Sequence, residues 1–264
     1  MTQGALHVMT EGRPDGLPVV LLHAICTSSD LWQPQLPLWN RRYRTIRVDL
    51  PGHGRSQPLG GEPTLSNYAV ALAETLDASG HDRVALLGTS FGAMVAQAFA
   101  LRFPERVHGL VLAHAGALTS AEVAAIWDQR LRDLYMLGVE QHVRSTIGRW
   151  LTPGFAHASP LTVDWLGAMV RATSRIGYRE AVGAIQGLDH KSRLGQIAVP
   201  TLVIAGAADM AVPPEIVRPV ANGIPNAEYA VLDAAHMGNV EQPVAFAEVV
   251  GRFLNALGSG AAER

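Results

Sequence analysis

A single cysteine, Cys26, stands among 264 residues. One thiol excludes an internal disulfide and a cysteine-built metal cluster, and it fits a reducing compartment. An excess of positive charge is missing as well. The 21 Lys and Arg residues face 23 Asp and Glu, a formal net charge of −2, so no global basic field exists to hold nucleic acid. Arg41, Arg42 and Arg44, ahead of a strand, read as a solvated edge. The best apolar run, Val19 to Cys26, falls far short of the roughly 20 residues that a membrane span needs. Met1-Thr2-Gln3-Gly4 puts no basic stretch ahead of an apolar one, so the expectation is a cytoplasmic protein without a secretory signal. No H-E-x-x-H and no Cys/His ligand spacing occurs, and no repeat or low-complexity tract is visible. The expectation is therefore a protein without metal or cofactor.

Core material is plentiful, with 48% hydrophobic and 17% charged residues. The length lies at the upper end of what one core holds, which favours one domain with an insertion. Short apolar runs recur at Pro18–Leu22, Thr45–Val48, Val84–Leu87, Val107–Leu112, Thr201–Ile204 and Ala227–Leu232. Near-continuous apolar strands of this kind are buried on both faces, as in a parallel sheet covered by helices. Helical patterns lie between them at Leu65–Ala78, with Thr64 as N-cap, and at Ala93–Arg102, stopped by Pro104. Phe246, Val249, Val250, Phe253, Leu254 and Leu257 form one apolar stripe of an amphipathic helix. The alternation predicts an α/β fold with a mostly parallel sheet. Between 118 and 190 it breaks into helices alone: Ala121–Leu137, Val139–Trp150, Leu161–Arg175 and Tyr178–Leu188. We read residues 1–117 and 191–264 as the core, residues 118–190 as an inserted helical lid, and Gly258–Arg264 as a frayed tail.

Gly88-Thr89-Ser90-Phe91-Gly92 joins a strand directly to a helix. That is the setting a G-x-S-x-G nucleophile turn requires, with the serine pushed out at a helix N-terminus. A serine nucleophile needs a base, and the base an orienting acid. Asp209 lies just past the strand ending in Val203-Ile-Ala-Gly206, and His236 follows the next strand in a loop. The order Ser, Asp, His agrees with that turn. Asp233, read as a loop cap, and Asp49 are the rival acids. An oxyanion would take the main-chain N–H of Phe91 and one from the loop His23-Ala24-Ile25-Cys26, with Ile25 the first choice and Cys26 the second. Asp49-Leu-Pro-Gly-His-Gly-Arg-Ser56 lacks the lysine of a phosphate loop and reads as a structural turn near the cleft.

These motifs, along almost the whole chain, resemble the α/β-hydrolase family. The resemblance implies an α/β-hydrolase fold, a Ser90–His236–Asp209 triad and acyl transfer without a cofactor. One departure is His23-Ala24, where many members have His-Gly, which leaves the second oxyanion donor open. Within the family the sequence is most similar to 3-oxoadipate enol-lactonases, through Arg149-Trp150-Leu-Thr-Pro-Gly-Phe155, Gly177-Tyr178 and Ala235-His236-Met-Gly-Asn-Val-Glu-Gln-Pro243. It implies a small carboxylated lactone or ester as substrate. Arg149 is then the candidate partner for the carboxylate, chosen among Arg130, Arg132, Arg144, Arg149, Arg171, Arg175 and Arg179, and Trp150 the candidate apolar wall. Carbon–carbon bond hydrolysis, general carboxylesterase activity and a non-catalytic ligand receptor are the alternatives on the same fold. The expected partner is a small molecule, with no nucleic acid or membrane; self-association into a homo-oligomer stays open.

Overall fold

The computed structural model describes residues 5–259, so the expectations for Met1–Gly4 and for 260–264 lie outside the described residues. Along the chain run β1 (Val8–Gly12), β2 (Pro18–Leu22), α1 (Leu36–Trp39), β3 (Arg44–Val48), α2 (Leu65–Ala78), β4 (Val84–Thr89), α3 (Phe91–Arg102) and β5 (Val107–Ala113). Five helices follow without a strand: α4 (Ala121–Leu137), α5 (Val139–Trp150), α6 (Pro153–Ala158), α7 (Pro160–Ala172) and α8 (Arg175–Gln186). The sheet resumes with β6 (Thr201–Gly206), α9 (Pro214–Gly223), β7 (Glu228–Leu232), α10 (Gly238–Glu241) and α11 (Pro243–Ser259). The seven strands are ordered β1-β3-β2-β4-β5-β6-β7. Only β1 runs antiparallel to its neighbour; every other pairing is parallel.

Side chains alternate across a strand, and both faces of this sheet are covered. Val20, Leu22 and Leu86 point into the core under α2 and α3. Val19, Leu21, Ala85 and Leu87 point the other way, against Trp32, Trp39 and the Phe246, Val250, Phe253 and Leu254 stripe of α11. This two-sided burial is why the strands read as unbroken apolar runs. The chain moves from β2 outward to β3, then returns to the opposite side of β2 with β4. That reversal opens a crevice at the carboxyl ends of β2 and β4, where open α/β sheets place their ligands.

Several local expectations are corrected. α3 begins at Phe91, two residues before the pattern from Ala93 suggests. The helix expected from Leu161 to Arg175 ends at Ala172, because Thr173 turns extended and the Ser174 side chain caps the following helix by accepting from Gly177 N at 3.3 Å. α8 therefore starts at Arg175 and stops at Gln186. Pro153 masks α6 in the sequence, yet it sits in the first turn of that helix behind the capping side chain of Thr152. Gly258 and Ser259 belong to α11 and are not part of a tail. Among the described residues, no helix is long and apolar enough to cross a membrane.

The core also encloses neutral histidines. Leu50 N donates to His23 Nε2 at 2.9 Å, while His23 Nδ1 lies 2.8 Å from the Ala24 carbonyl, which fixes one neutral tautomer. The His53 ring lies 5.2 Å from it, and burial, with His23 alongside, pushes His53 down to about 3. A base whose folded value is depressed stays neutral in the native state, while the unfolded chain takes up a proton below about 6.5. Stability therefore falls as pH falls from about 6.5 toward 3, at about 1.4 kcal/mol per pH unit for each such group. His53 alone should cost about 2 kcal/mol between pH 6.5 and 5. Urea titrations at pH 7, 6 and 5 should show that decline, and a level ΔG across the range would contradict a neutral buried His53.

Candidate active site

The turn after β4 is tight. Ser90 has φ 53° and ψ −117°, a left-handed conformation costly for any residue with a Cβ. A Cβ on Gly88 would run into the Gly92 carbonyl, and one on Gly92 into the Leu22 carbonyl of β2. Both glycines are thus required by close backbone approach. Ser90 N donates to the Ala113 carbonyl at 2.8 Å, which ties the turn to the end of β5. The Ser90 hydroxyl is left at the N-terminus of α3, pointing into the crevice.

Loops after β6 and β7 bring the other two groups to it. Ala207 N donates to Leu232 O at 2.8 Å and Ala208 N to Ala234 O at 3.0 Å, so these two loops are bonded to each other. His236 Nε2 lies 2.9 Å from Ser90 Oγ, and His236 Nδ1 lies 2.8 Å from Asp209 Oδ2. The three residues are 7%, 3% and 3% exposed for Ser90, Asp209 and His236, so little water competes for these contacts. Asp209 Oδ1 accepts from Ala211 N at 2.8 Å and Val212 N at 2.9 Å. Burial works against its charge, but His236 and a hydrogen bond from His114 outweigh it and hold the carboxyl below the usual range. Asp233 is exposed, and Asp49 is engaged elsewhere, accepting from Ser29 N and Arg55 N at 2.8 and 2.9 Å.

His114 is the residue that sequence reading misses. Its Nδ1 lies 3.2 Å from Asp209 Oδ2, the same oxygen that His236 uses. Burial lowers its pKa, so it is a neutral donor. It takes a positive φ of 56° at the end of β5. Gly206 and Gly238 make room for its ring: added Cβ atoms there would lie 3.1 Å from Cε1 and 2.7 Å from Nε2. No motif announces it, since its partner is 95 residues away. Glu241, in the Glu-Gln-Pro segment, is a second such residue. It accepts from Thr152 N at 2.6 Å and Thr152 Oγ1 at 2.9 Å, and from Ala235 N beside the imidazole. With the bond from Met237 N to the Trp150 carbonyl at 3.0 Å, it fastens the helical insertion to the His236 loop.

Among the described residues, ligand atoms of His114, Asp209 and His236 lie within 4.8 Å of one another, close enough for a metal ion to reach. Both Nδ1 atoms address one carboxylate oxygen at hydrogen-bond distance. Read as two N–H donors on a carboxylate, the arrangement leaves His236 Nε2 free to accept the Ser90 proton.

A cavity of about 430 Å³ opens above Ser90 and His236, with Ile25 and Cys26 in its wall. Thr27 N donates to Ala24 O at 3.2 Å, and Cys26 holds φ 60° in that turn. Phe91 N is the first N–H of α3 and has no acceptor within the helix; its ring is buried against Tyr68, 5.0 Å away. Arg149 and Trp150 both line the cavity, and so does Arg130, which nothing in the sequence sets apart from the other arginines of the helical insertion. Arg132, Arg144, Arg171, Arg175 and Arg179 are exposed, the first three bonded to Gln129, Gln141 and Glu140. Arg130 stacks on Trp127, 4.4 Å from the ring centroid. Burial, then the charge of Arg130, push Arg149 down to about 10, so it stays protonated at neutral pH. His142, 3.7 Å from Cys26 Sγ, is pushed down to about 4 by burial and then by these two guanidiniums. Two cations thus converge on one side of the cavity.

With this geometry in place, known proteins agree in kind. A model of the alpha/beta hydrolase fold matches residues 18–243. The chain belongs to the α/β-hydrolase fold family. 3-Oxoadipate enol-lactonase 2 of Acinetobacter baylyi is 30% identical over 252 residues, covering 93% of this chain and 91% of that protein. The crystal structure of an enol-lactonase from Burkholderia xenovorans superposes on this α/β-hydrolase with a TM-score of 0.90 at 28% identity, covering 95% of this chain and 96% of that one. A hydrolase from Pseudomonas aeruginosa gives a TM-score of 0.89 at 33% identity, covering 94% of this chain and 93% of that one.

Proposed function

We propose that this hydrolase cleaves a carboxylated lactone or ester through an acyl-enzyme on Ser90, in the manner of a 3-oxoadipate enol-lactonase. One observation carries the reading: the Ser90–His236–Asp209 contacts of 2.9 and 2.8 Å face a cavity whose wall holds Arg130 and Arg149. Ser90 Oγ attacks the carbonyl carbon as its proton passes to His236 Nε2. Asp209 holds the resulting imidazolium. The N–H groups of Phe91 and Ile25 receive the oxyanion. The C–O bond then breaks, and the leaving oxygen takes the proton from His236. In an enol-lactone that group is an enol, which becomes a ketone and draws the reaction forward. Water, deprotonated by His236, attacks the acyl-enzyme and releases the acid. The helical insertion acts as a lid that supplies the cationic wall, and no cofactor enters any step.

A free carboxylate in such a cavity is costly without a partner, and a bidentate guanidinium is a good one. A carboxylated lactone should therefore react with a higher kcat/KM than its methyl ester. Arg149→Ala should lose about 1–3 kcal/mol of that discrimination, about 5- to 150-fold. Measuring both substrates on both proteins tests it. Preference of the wild type for the neutral ester would replace the lactonase reading with a general esterase.

A further inference from the structure

The cavity has a second, apolar end that the chemistry above leaves unused. Val123, Ile126, Trp127 and Arg130 of α4 all line it. Their spacing, i, i+3, i+4 and i+7, makes one helical stripe about 10 Å long. The stripe grades from aliphatic at Val123 to cationic at Arg130. Leu118, Met210 and Ile216 add further apolar side chains to the cavity wall. These side chains are not packed away: Met210 is 84% exposed, Ile216 51% and Ile126 49%. Exposed apolar side chains scattered singly need no explanation, but a cluster rimming a pocket marks a binding surface. A volume of about 430 Å³ falls in the range of pockets that enclose drug-sized ligands, so a small enol-lactone would leave this end empty.

We infer that the substrate carries an alkyl or aryl arm on the side of the scissile bond opposite its carboxylate, laid along Leu118, Ile126, Met210 and Ile216. This rests on the acyl-transfer reading of Ser90. Orientation follows from charge. Arg130 and Arg149 draw the carboxylate to one end. At the α9 side Glu215 lines the wall beside Ile216, and Lys191, on a turn that packs against α9, offsets its charge, so the orientation rests on the two guanidiniums. The arm is the occupant that joins the apolar surface to Ser90 without a break, since one cavity contains both.

Monoalkyl adipates test this, because their carboxylate and alcohol flank the ester carbonyl on opposite sides. Lengthening the alcohol from methyl to hexyl should raise kcat/KM about 2- to 4-fold per methylene until the arm leaves the wall. Ile126→Ser and Ile216→Ser, both at exposed positions, should bring the hexyl-to-methyl ratio toward one. A level series in the wild type, with the methyl monoester still turned over, would overturn the arm and leave the hydrolase reading standing. No turnover of any monoester would count against acyl transfer; the arm is then read by calorimetry with N-methyl and N-hexyl adipamic acids, which need no hydrolysis. Hexyl should bind about tenfold or more tightly. Equal binding, with self-association lost in Ile216→Ser, would assign the patch to a second copy of the chain and refute the arm.

Discussion

Ser90→Ala should lower kcat by about 10⁶-fold while the protein stays folded. In the proposed mechanism Ser90 is the nucleophile, so its removal leaves His236 with nothing to activate, and because triad members act as a unit the loss is far larger than one hydrogen bond. Residual rate would come from the oxyanion donors and from binding alone. The same site gives a second, independent reading. Ser90 holds φ 53° and ψ −117°, a conformation that costs about 1–3 kcal/mol for a residue with a Cβ. Alanine keeps that strain and glycine releases it, at a cost of about 0.4–1 kcal/mol in unfolded-chain entropy. Ser90→Gly should therefore be as inactive as Ser90→Ala but more stable, by about 1 kcal/mol in urea titration. Turnover near wild type in either variant would remove Ser90 from the chemistry.

Asp209→Asn should cost about 10⁴-fold in kcat. The mechanism is a forced tautomer. Asp209 Oδ1 accepts two main-chain N–H groups, from Ala211 and Val212, so the amide oxygen of asparagine must stay on that side. Its NH2 then faces His236 Nδ1 and His114 Nδ1, which both lie within 3.2 Å of Oδ2. Two donors cannot point at two donors. His236 responds by moving its proton to Nε2, where it can no longer accept from Ser90. Asp233→Asn should cost little, because that carboxylate is exposed and holds no imidazole. The two kcat values, measured side by side, decide between them, and the reverse ranking would move the acid to Asp233.

Residues that stand at a strand's carboxyl end in a fixed order are legible in the amino-acid sequence. Ser90, Asp209 and His236 are of this kind, and the fold brings all three into one chain of contacts. Two of the side-chain-capped helices are legible to the residue, while α6 and α8, capped by Thr152 and Ser174, are not. α2 starts where Thr64 accepts from Asn67 N, and α4 where Ser120 accepts from Val123 N. What stays hidden depends on tertiary contact. β1 reads Val-Met-Thr-Glu-Gly and is largely exposed; it is a strand only because β3 pairs with it, with Arg47 reaching Glu11 at 3.2 Å. α9 carries Pro219 in its interior, a residue that normally argues against a helix. Arg130 shares a helical face with Val123 and Trp127, but the sequence does not say which face of α4 meets the cavity. His114 has no signature, because three separate segments must fold before its ring meets Asp209.

The most direct test of the central proposal is covalent. Wild-type protein treated with a fluorophosphonate should gain one adduct per chain, and peptide mapping should place it on Ser90; Ser90→Ala should gain none. An unlabelled wild type, or an adduct on another residue that persists in Ser90→Ala, would contradict a serine hydrolase built on this turn.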